Sequence, residues 1–297
     1  MKHTLKITLL LVFIFFISQV IGLAVTNKYI DHKITVETGK ATFEALPYNL
    51  ERPQIEESTS YIWIISAIII GTLLLLSIIK FRKMGLWKLW FFLAVFSTMA
   101  IAFAAFIPQA LAAILALILA LIKIYKPITA INNLTEVFIY GGLAAIFVPV
   151  IDVFAAFALL FLISIYDIIA VRHTKHMIKL AKFQAKSNVF AGLSIPYKKG
   201  KIAAKEKGII HKKKGKIAVL GGGDIGFPLL FAGVIMKGLM LNNTELIGFL
   251  KTLIIPLFVS LALLFLLVKG KKDKFYPAMP YLTSGCVIGY LVILLFF

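Results

Sequence analysis

Long runs of apolar residues, separated by short polar or charged segments, dominate the chain. Nine such runs occur, and most are long enough to cross about 30 Å of hydrocarbon as a helix. The shortest run, at 109–122, has 14 residues, and only Asp152 separates the fifth run from the sixth. The pattern predicts an all-α membrane protein with nine transmembrane helices at roughly 5–25, 61–79, 87–107, 109–122, 130–151, 153–171, 217–240, 246–268 and 281–297.

The first apolar run has two interpretations. Lys2 and Lys6 precede the apolar residues, as in a secretory signal peptide. No small-x-small cleavage site follows cleanly, and the run is long enough to span a bilayer. We therefore interpret it as the first transmembrane helix.

Composition agrees with a polytopic membrane protein. The chain has 297 residues, of which 61% are hydrophobic, and a mean hydropathy of +0.96. Soluble domains contain about 45–50% apolar residues, so an ordinary soluble domain is excluded. The net charge of +19 then describes membrane topology rather than binding to nucleic acid. The single cysteine, Cys286, excludes an intrachain disulfide and gives no metal-ligand pattern.

The distribution of Lys and Arg predicts the orientation. Twenty-six of the 32 basic residues flank alternate ends of the predicted helices, and six lie on the opposite side. Because basic residues accumulate in cytoplasmic loops, the N-terminus is expected in the cytoplasm of a cell-membrane protein. Nine crossings then place the C-terminus outside the cell.

One loop divides the chain into two helical parts. Residues 1–171 carry six predicted helices and residues 217–297 carry three, within one integral membrane domain. Residues 172–216, with fourteen basic residues, are predicted to form a cytoplasmic loop. Its segment Met177–Phe183 fits either a helix lying on anionic lipid or a continuation of the preceding helix. Residues 198–216 are predicted to form a mobile basic linker.

Two acidic residues lie inside apolar runs, Asp167 and Asp224. A carboxylate in the bilayer interior costs about 3 kcal/mol on insertion scales, so it indicates a function. Asp167 precedes Arg172 by five residues and Asp224 follows Lys216 by eight. At 1.5 Å per helical residue, both lie roughly 7–12 Å from the cytoplasmic face. The two helices run antiparallel, so the carboxylates are expected to face each other.

Two facing carboxylates can hydrolyse an amide bond without a cofactor. Such a pair shares one proton, so one member acts as the base that activates water and the other as an acid. Alternatively, each aspartate separately caps a helix, binds a cation or carries protons. Three glycines, Gly221 to Gly223, precede Asp224 and predict a loosened helix or the close approach of a neighbouring backbone.

Other catalytic chemistries lack support in the sequence. The chain has no H-E-x-x-H zinc motif, no G-x-S-x-G nucleophile motif and no phosphate-binding loop. His173 and His176 lie among lysines at a helix end, which favours a solvated role. We therefore predict no metal and no cofactor.

Three short motifs resemble those of one protease family. Tyr166-Asp167 in the sixth predicted helix and Gly221-Gly222-Gly223-Asp224 in the seventh resemble the Y-D and G-x-G-D motifs of presenilin and signal peptide peptidase. Pro277-Ala278-Met279 resembles the family's P-A-L motif, with methionine in place of leucine, a change that conserves volume. The predicted orientation is that of presenilin, and the small size resembles archaeal presenilin-type homologues.

The resemblance implies a presenilin-like fold and an intramembrane aspartyl protease. Its partners would be transmembrane substrate proteins and membrane lipids, with no nucleic acid, and a homo-oligomer is left open. An ion or proton transporter, a leak channel and a prepilin-type peptidase, which also carries G-x-G-D, are the alternatives. The resemblance assigns catalysis to Asp167 and Asp224, and active-site support or substrate binding to Tyr166, Gly221, Gly222, Gly223, Pro277, Ala278 and Met279.

Overall fold

The computed structural model of the protein describes residues 5–81, 83–173, 190–198, 202–206, 209–212, 216–270 and 276–296. Most of these residues are helical. The α-helices are α1 (Leu5–Lys28), α2 (His32–Thr38), α3 (Ser60–Lys80), α4 (Met84–Ala104), α5 (Gln109–Tyr125), α6 (Thr129–Phe147), α7 (Val153–Ile168), α8 (Gly222–Leu239), α9 (Glu245–Thr252), α10 (Ile254–Lys269) and α11 (Met279–Phe296).

Eight helical segments within the described ranges are long and apolar enough to cross a membrane. Helix α5, at the shortest predicted run, is apolar but has only 17 residues. A mostly helical, multi-pass integral membrane protein is therefore confirmed. The ninth crossing and the orientation of the termini stay predictions.

The boundary between the fifth and sixth predicted helices has a clear physical cause. Asp152 lies at the N-cap of α7, where its Oδ1 accepts the backbone N–H of Ala155 at 2.6 Å. Such a side chain satisfies one of the amide groups that a helix leaves unpaired at its start. The single polar residue between the two runs therefore begins a new helix.

Within the described residues, four short strands lie in the predicted cytoplasmic loop, including its predicted mobile linker, and at the start of the predicted seventh helix. Strand β1 (Gly192–Lys198) pairs antiparallel with β4 (Lys216–Gly221), and β2 (Ile202–Glu206) pairs antiparallel with β3 (Ile209–Lys212). The all-α prediction is wrong for these strands. A short apolar run such as 217–220 does not distinguish a strand from a buried helix. The predicted amphipathic segment Met177–Phe183 lies outside the described residues.

The β1–β4 ribbon closes on two glycines, because Gly192 pairs with Gly221. Gly192 has a φ of 137°, a conformation that residues with a Cβ rarely adopt. A Cβ there would also overlap the carbonyl oxygen of Leu220 on the facing strand. Glycine is therefore required at the point where the ribbon meets the start of α8.

Helix α7 occupies a central place in the packing around the aspartates. It packs against α3, α8 and α11. Helix α1 also contacts α8, and the side-chain amide of Gln19 donates a hydrogen bond to the carbonyl oxygen of Ile225 at 2.8 Å. The first turns of α8 are consequently fixed by several neighbouring helices.

Candidate active site

Asp167 binds the start of α11. Its side chain is buried near the end of α7, and Oδ2 accepts the backbone N–H of Met279 at 3.1 Å. The backbone of Ala278 interacts with the same carboxylate. The first amide groups of a helix have no partner within it, and the helix dipole favours a negative charge there. Asp167 therefore caps α11.

A second hydrogen bond aligns α11 along α7. The hydroxyl groups of Ser164 and Thr283 lie 2.8 Å apart in the buried interface, and Thr283 also donates to the carbonyl oxygen of Leu160 at 3.4 Å. Residues separated by three or four positions share one face of a helix. The same face of α7 therefore presents Leu160, Ser164 and Asp167 to the start of α11.

This docking brings the third predicted motif to the first aspartate. Pro277 and Met279 are buried and Ala278 is partly buried. The hydrogen bond to Asp167 uses the main chain of Met279 and not its side chain. Methionine in place of leucine leaves this contact unchanged.

Asp224 lies in the first turn of α8, which begins at Gly222 directly after β4. The depth derived from an unbroken helix after Lys216 is therefore wrong, because residues 216–221 are extended. Helix α8 packs against α7, so the two aspartates belong to neighbouring helices. A Cβ at Gly221 would lie 3.4 Å from Oδ2 of Asp224, which places this glycine beside the carboxylate.

The glycines before Asp224 have different neighbours. A Cβ at Gly222 would overlap the hydroxyl oxygen of Tyr140 on α6. The predicted close approach is therefore made by a side chain at Gly222, whereas at Gly221 the backbone of Gly192 lies opposite. Gly223 is exposed, and a Cβ there would make ordinary contact, 3.4 Å, with Phe227 of the same helix.

Tyr166 connects α7 to α3. Its hydroxyl lies 3.2 Å from Oγ1 of Thr72, within hydrogen-bond distance. The residue is partly buried. Tyr166 directly precedes Asp167 in the sequence, and its hydroxyl links this part of α7 to α3.

A buried polar cluster that the sequence pattern does not indicate lies beside Gly222. The Lys123 ammonium lies 2.6 Å from Oε1 of Glu136, and the two side chains are 2% and 1% exposed. It also donates to Oδ1 of Asn132 at 2.8 Å and to Oγ1 of Thr135 at 3.0 Å. The Tyr140 hydroxyl donates to Oε2 of Glu136.

Charge alone did not reveal this cluster. Lys123 and Glu136 lie near the ends of apolar runs, where a charge ordinarily meets water or lipid headgroups. The available signal was their opposite sign on two consecutive predicted helices. Only the turn between α5 and α6 brings them together.

The start of α6 also holds the ribbon that leads to Asp224. The Asn132 side chain donates to the carbonyl oxygen of Gly192 at 3.0 Å. The Asn133 amide both donates to the carbonyl oxygen of Ser194 and accepts its N–H, each at 2.9 Å. Because β1 pairs with β4, these contacts position the strand directly before α8.

Metal ligands do not gather in the part of the chain that the structure describes. No group of three or more His, Cys, Asp or Glu side chains there could hold a metal ion. His173 ends a short π-helical turn after α7, and His176 lies outside the described ranges.

The fold of the chain is similar to that of solved structures. Two crystal forms, C222 and P2, of a presenilin family intramembrane aspartate protease match it with TM-scores of 0.61 and 0.59. Identity is 18% in both, and the matches cover 96% of this chain and 97% and 96% of those chains. These structures share the fold. A search of curated proteins gave no match.

The sequence itself identifies the family. The model for the family described as "Signal-peptide peptidase, presenilin aspartyl protease" matches residues 13–297, nearly the whole chain. The Y-D, G-x-G-D and P-A-L-like motifs of this chain lie within that range. The chain belongs to the signal-peptide peptidase and presenilin family of aspartyl proteases.

Proposed function

We propose that this protein hydrolyses peptide bonds within the transmembrane segments of other membrane proteins. Asp167 and Asp224 are the catalytic pair and water is the nucleophile. The observation that carries the proposal is the location of two intramembrane aspartates on the packed helices α7 and α8, in a chain of this family. The remaining motif residues support this pair or contact substrate.

The reaction needs only the two carboxyl groups and water. The ionised carboxylate takes a proton from water as the water oxygen adds to the substrate carbonyl carbon. The protonated carboxyl group donates its proton to the carbonyl oxygen. The resulting geminal diol then gives a hydroxyl proton to the carboxylate formed in this way, the other, now protonated, carboxyl group donates its proton to the amide nitrogen, and the C–N bond breaks. The products are a carboxyl terminus and an amine terminus.

The hydrogen bond from Met279 supports this role by orienting Asp167. An amide donor at 3.1 Å fixes one oxygen of the carboxylate. A substrate that binds near the start of α11 would shift this hydrogen bond. Pro277–Met279 would in this way be coupled to the catalytic pair. The substrate helix must also unwind locally, since exposed backbone at this depth requires a wet, protein-lined cavity.

The test uses purified protein and a model transmembrane substrate. Wild type should yield a cleaved product that a transition-state-mimicking aspartyl protease inhibitor blocks and a chelator leaves unchanged. Asp167→Asn and Asp224→Asn should each abolish cleavage, with no further loss in the double variant, because the pair acts as a unit. The pH profile should be bell-shaped, with limbs that belong to the pair. Substantial cleavage by either single variant would refute the proposal.

A transporter or channel built on the same aspartates predicts a different result. Proteoliposomes would then show cation or proton flux that either Asp→Asn change removes, with no peptide product between pH 4 and 9. Measuring flux and product on the same preparation separates the two functions.

We also propose that the protein resides in the cell membrane with nine crossings and a cytoplasmic N-terminus. The split of basic residues, 26 against six, supports this orientation. Cysteines introduced near residue 208 and within 26–60 should react with an impermeant thiol reagent from opposite sides. The native Cys286 is fully buried, so it contributes little background labelling. Labelling of both introduced positions from one side would contradict the topology.

A further inference from the structure

We propose that Tyr140 is a positioning residue for Asp224 and that Lys123 and Glu136 hold Tyr140 in place for this purpose. The inference rests on the proposed function, because it concerns how one member of the catalytic pair is oriented. It extends the site to two helices, α5 and α6, that carry none of the motif residues.

The buried ion pair of Lys123 and Glu136, which anchors Tyr140, is held by several hydrogen bonds. An ammonium group has three N–H donors. Those of Lys123 have three close partners: Oε1 of Glu136 at 2.6 Å, Oδ1 of Asn132 at 2.8 Å and Oγ1 of Thr135 at 3.0 Å. The carboxylate of Glu136 is therefore fixed in direction through Oε1, and its Oε2 faces Tyr140.

The Tyr140 side chain extends from this anchor to the start of α8. Its hydroxyl donates a hydrogen bond to Oε2 of Glu136. The ring then lies along two glycines that are four residues apart on one face of α8. A Cβ at Gly226 would lie 3.5 Å from Cδ1 of the ring, and a Cβ at Gly222 would overlap the hydroxyl oxygen.

Asp224 lies between these two glycines in the sequence. A Cβ at Gly221 would lie 3.4 Å from Oδ2 of Asp224, so this carboxylate lies beside the residue that precedes Gly222. Gln19 of α1 binds the carbonyl of Ile225 on the same turn. Movement of this turn toward α6 would require the ring to move, and the ring is held by a buried ion pair. The cluster therefore limits how closely the first turn of α8, which carries Asp224, can approach α6.

Tyr140→Phe is the first test. It removes the hydroxyl that contacts both Glu136 and the face of Gly222. Displacing a catalytic group by about 1 Å costs roughly a hundredfold in rate. We expect kcat to fall by about tenfold or more while KM changes by less than about twofold, since Tyr140 acts on the catalytic group and not on substrate. The pH profile of cleavage should also change shape, because the surroundings of Asp224 change.

Tyr29→Phe is the matched control. Tyr29 and Tyr140 are both 5% exposed, and the Tyr29 hydroxyl likewise donates a buried hydrogen bond, to the carbonyl oxygen of Ile101 at 2.8 Å. It lies just after α1, away from the described contacts of both aspartates. Both variants lose one buried hydroxyl. Only Tyr140→Phe should alter kcat and the pH profile if the cluster positions Asp224.

Gly222→Ala tests the contact from the other side. The added methyl group would overlap the Tyr140 hydroxyl, so cleavage should fall well below that of Tyr140→Phe. Adding Tyr140→Phe removes the nearest atom that the methyl group meets. The double variant should therefore cleave several-fold faster than Gly222→Ala alone. Such non-additivity is expected only for residues in contact.

One readout does not depend on cleavage. The infrared carboxyl band of Asp224 is isolated in each background by subtracting the spectrum of the protein that also carries Asp224→Asn. Relative to wild type, this band should shift in Tyr140→Phe and stay unchanged in Tyr29→Phe. A wild type that fails to cleave would refute the proposed function, and this band would still decide the positioning role. An unshifted band, a wild-type kcat in a folded Tyr140→Phe protein, or an equal loss in Tyr29→Phe would overturn the inference.

Discussion

Replacing Glu136 by glutamine should destabilise the protein far more than the same change at Glu57. Glu136 pairs with Lys123 at 2.6 Å, and the two side chains are almost fully buried. Glutamine keeps the size but leaves a buried ammonium group without its counter-charge. Removing one partner of a buried pair costs about 3–5 kcal/mol. Lys123 retains its hydrogen bonds to Asn132 and Thr135, so we expect about 3 kcal/mol, the lower end of that range.

The ion pair of Lys237 and Glu57 serves for comparison, because its carboxylate is exposed. Lys237 lies 2.8 Å from Glu57, and its side chain is 11% exposed, but the Glu57 side chain is 55% exposed. Exposed ion pairs contribute about 0–1 kcal/mol, because water and salt screen them. The Glu57→Gln variant therefore controls for the chemical change at a carboxylate that is open to water.

The assay is the midpoint of thermal unfolding for both variants in the same detergent. At about 2–4 °C per kcal/mol for a chain near this size, Glu136→Gln should lower the midpoint by roughly 6–12 °C and Glu57→Gln by less than about 4 °C. Changing Lys123 to methionine together with Glu136→Gln should recover much of the loss, since no buried charge remains. Equal midpoints for the two Glu→Gln variants would refute the reasoning and indicate that water reaches Lys123.

Three further outcomes are expected. Asn133→Ala removes two hydrogen bonds to the backbone of Ser194, worth about 1 kcal/mol each, so the amides of β1 should exchange hydrogen faster; unchanged exchange would contradict the role assigned to Asn133. Gly192→Ala should lower the free energy of unfolding by about 1–3 kcal/mol and lower cleavage more than Gly39→Ala. Gly39 also has a positive φ but has open space around it. Equal effects of the two changes would mean that the strand facing Gly192 moves to accommodate the methyl group. Burial raises the pKa of Tyr29 to about 12, so as pH rises the unfolded chain loses this proton first and the free energy of unfolding should fall between about pH 10 and 12. Tyr29→Phe should flatten the decline of the unfolding midpoint with pH over this range, and an identical decline in both proteins would refute the assignment.

The helices that cross the membrane were predictable because their signal is long and one-dimensional. A run of about 20 apolar residues is soluble in lipid as a helix whatever its neighbours are. The same signal fails over short distances. Residues 217–220 are as apolar as residues of the membrane-spanning helices. They nevertheless form a strand, because β1 pairs with them.

The candidate site was predictable only in part for a similar reason. Asp167 and Asp224 stand out because a carboxylate inside an apolar run is costly wherever it points. Glu136 and Lys123 sit near run ends, so their burial depends on how α5 and α6 pack. The contact of Tyr140 with Gly222 joins residues 82 positions apart. Periodicity carries no information about such a contact.

The cap that Asp167 places on α11 determines which inactive form of the protein is suitable for trapping bound substrate. An asparagine at this position would lose the acid–base chemistry that we propose for Asp167, but its side-chain oxygen can still accept the N–H of Met279. An alanine would leave that amide unsatisfied and loosen the helix start at the same time. A substrate captured by Asp167→Asn would therefore report on the native binding surface. One captured by Asp167→Ala would report on a surface that the mutation itself had altered.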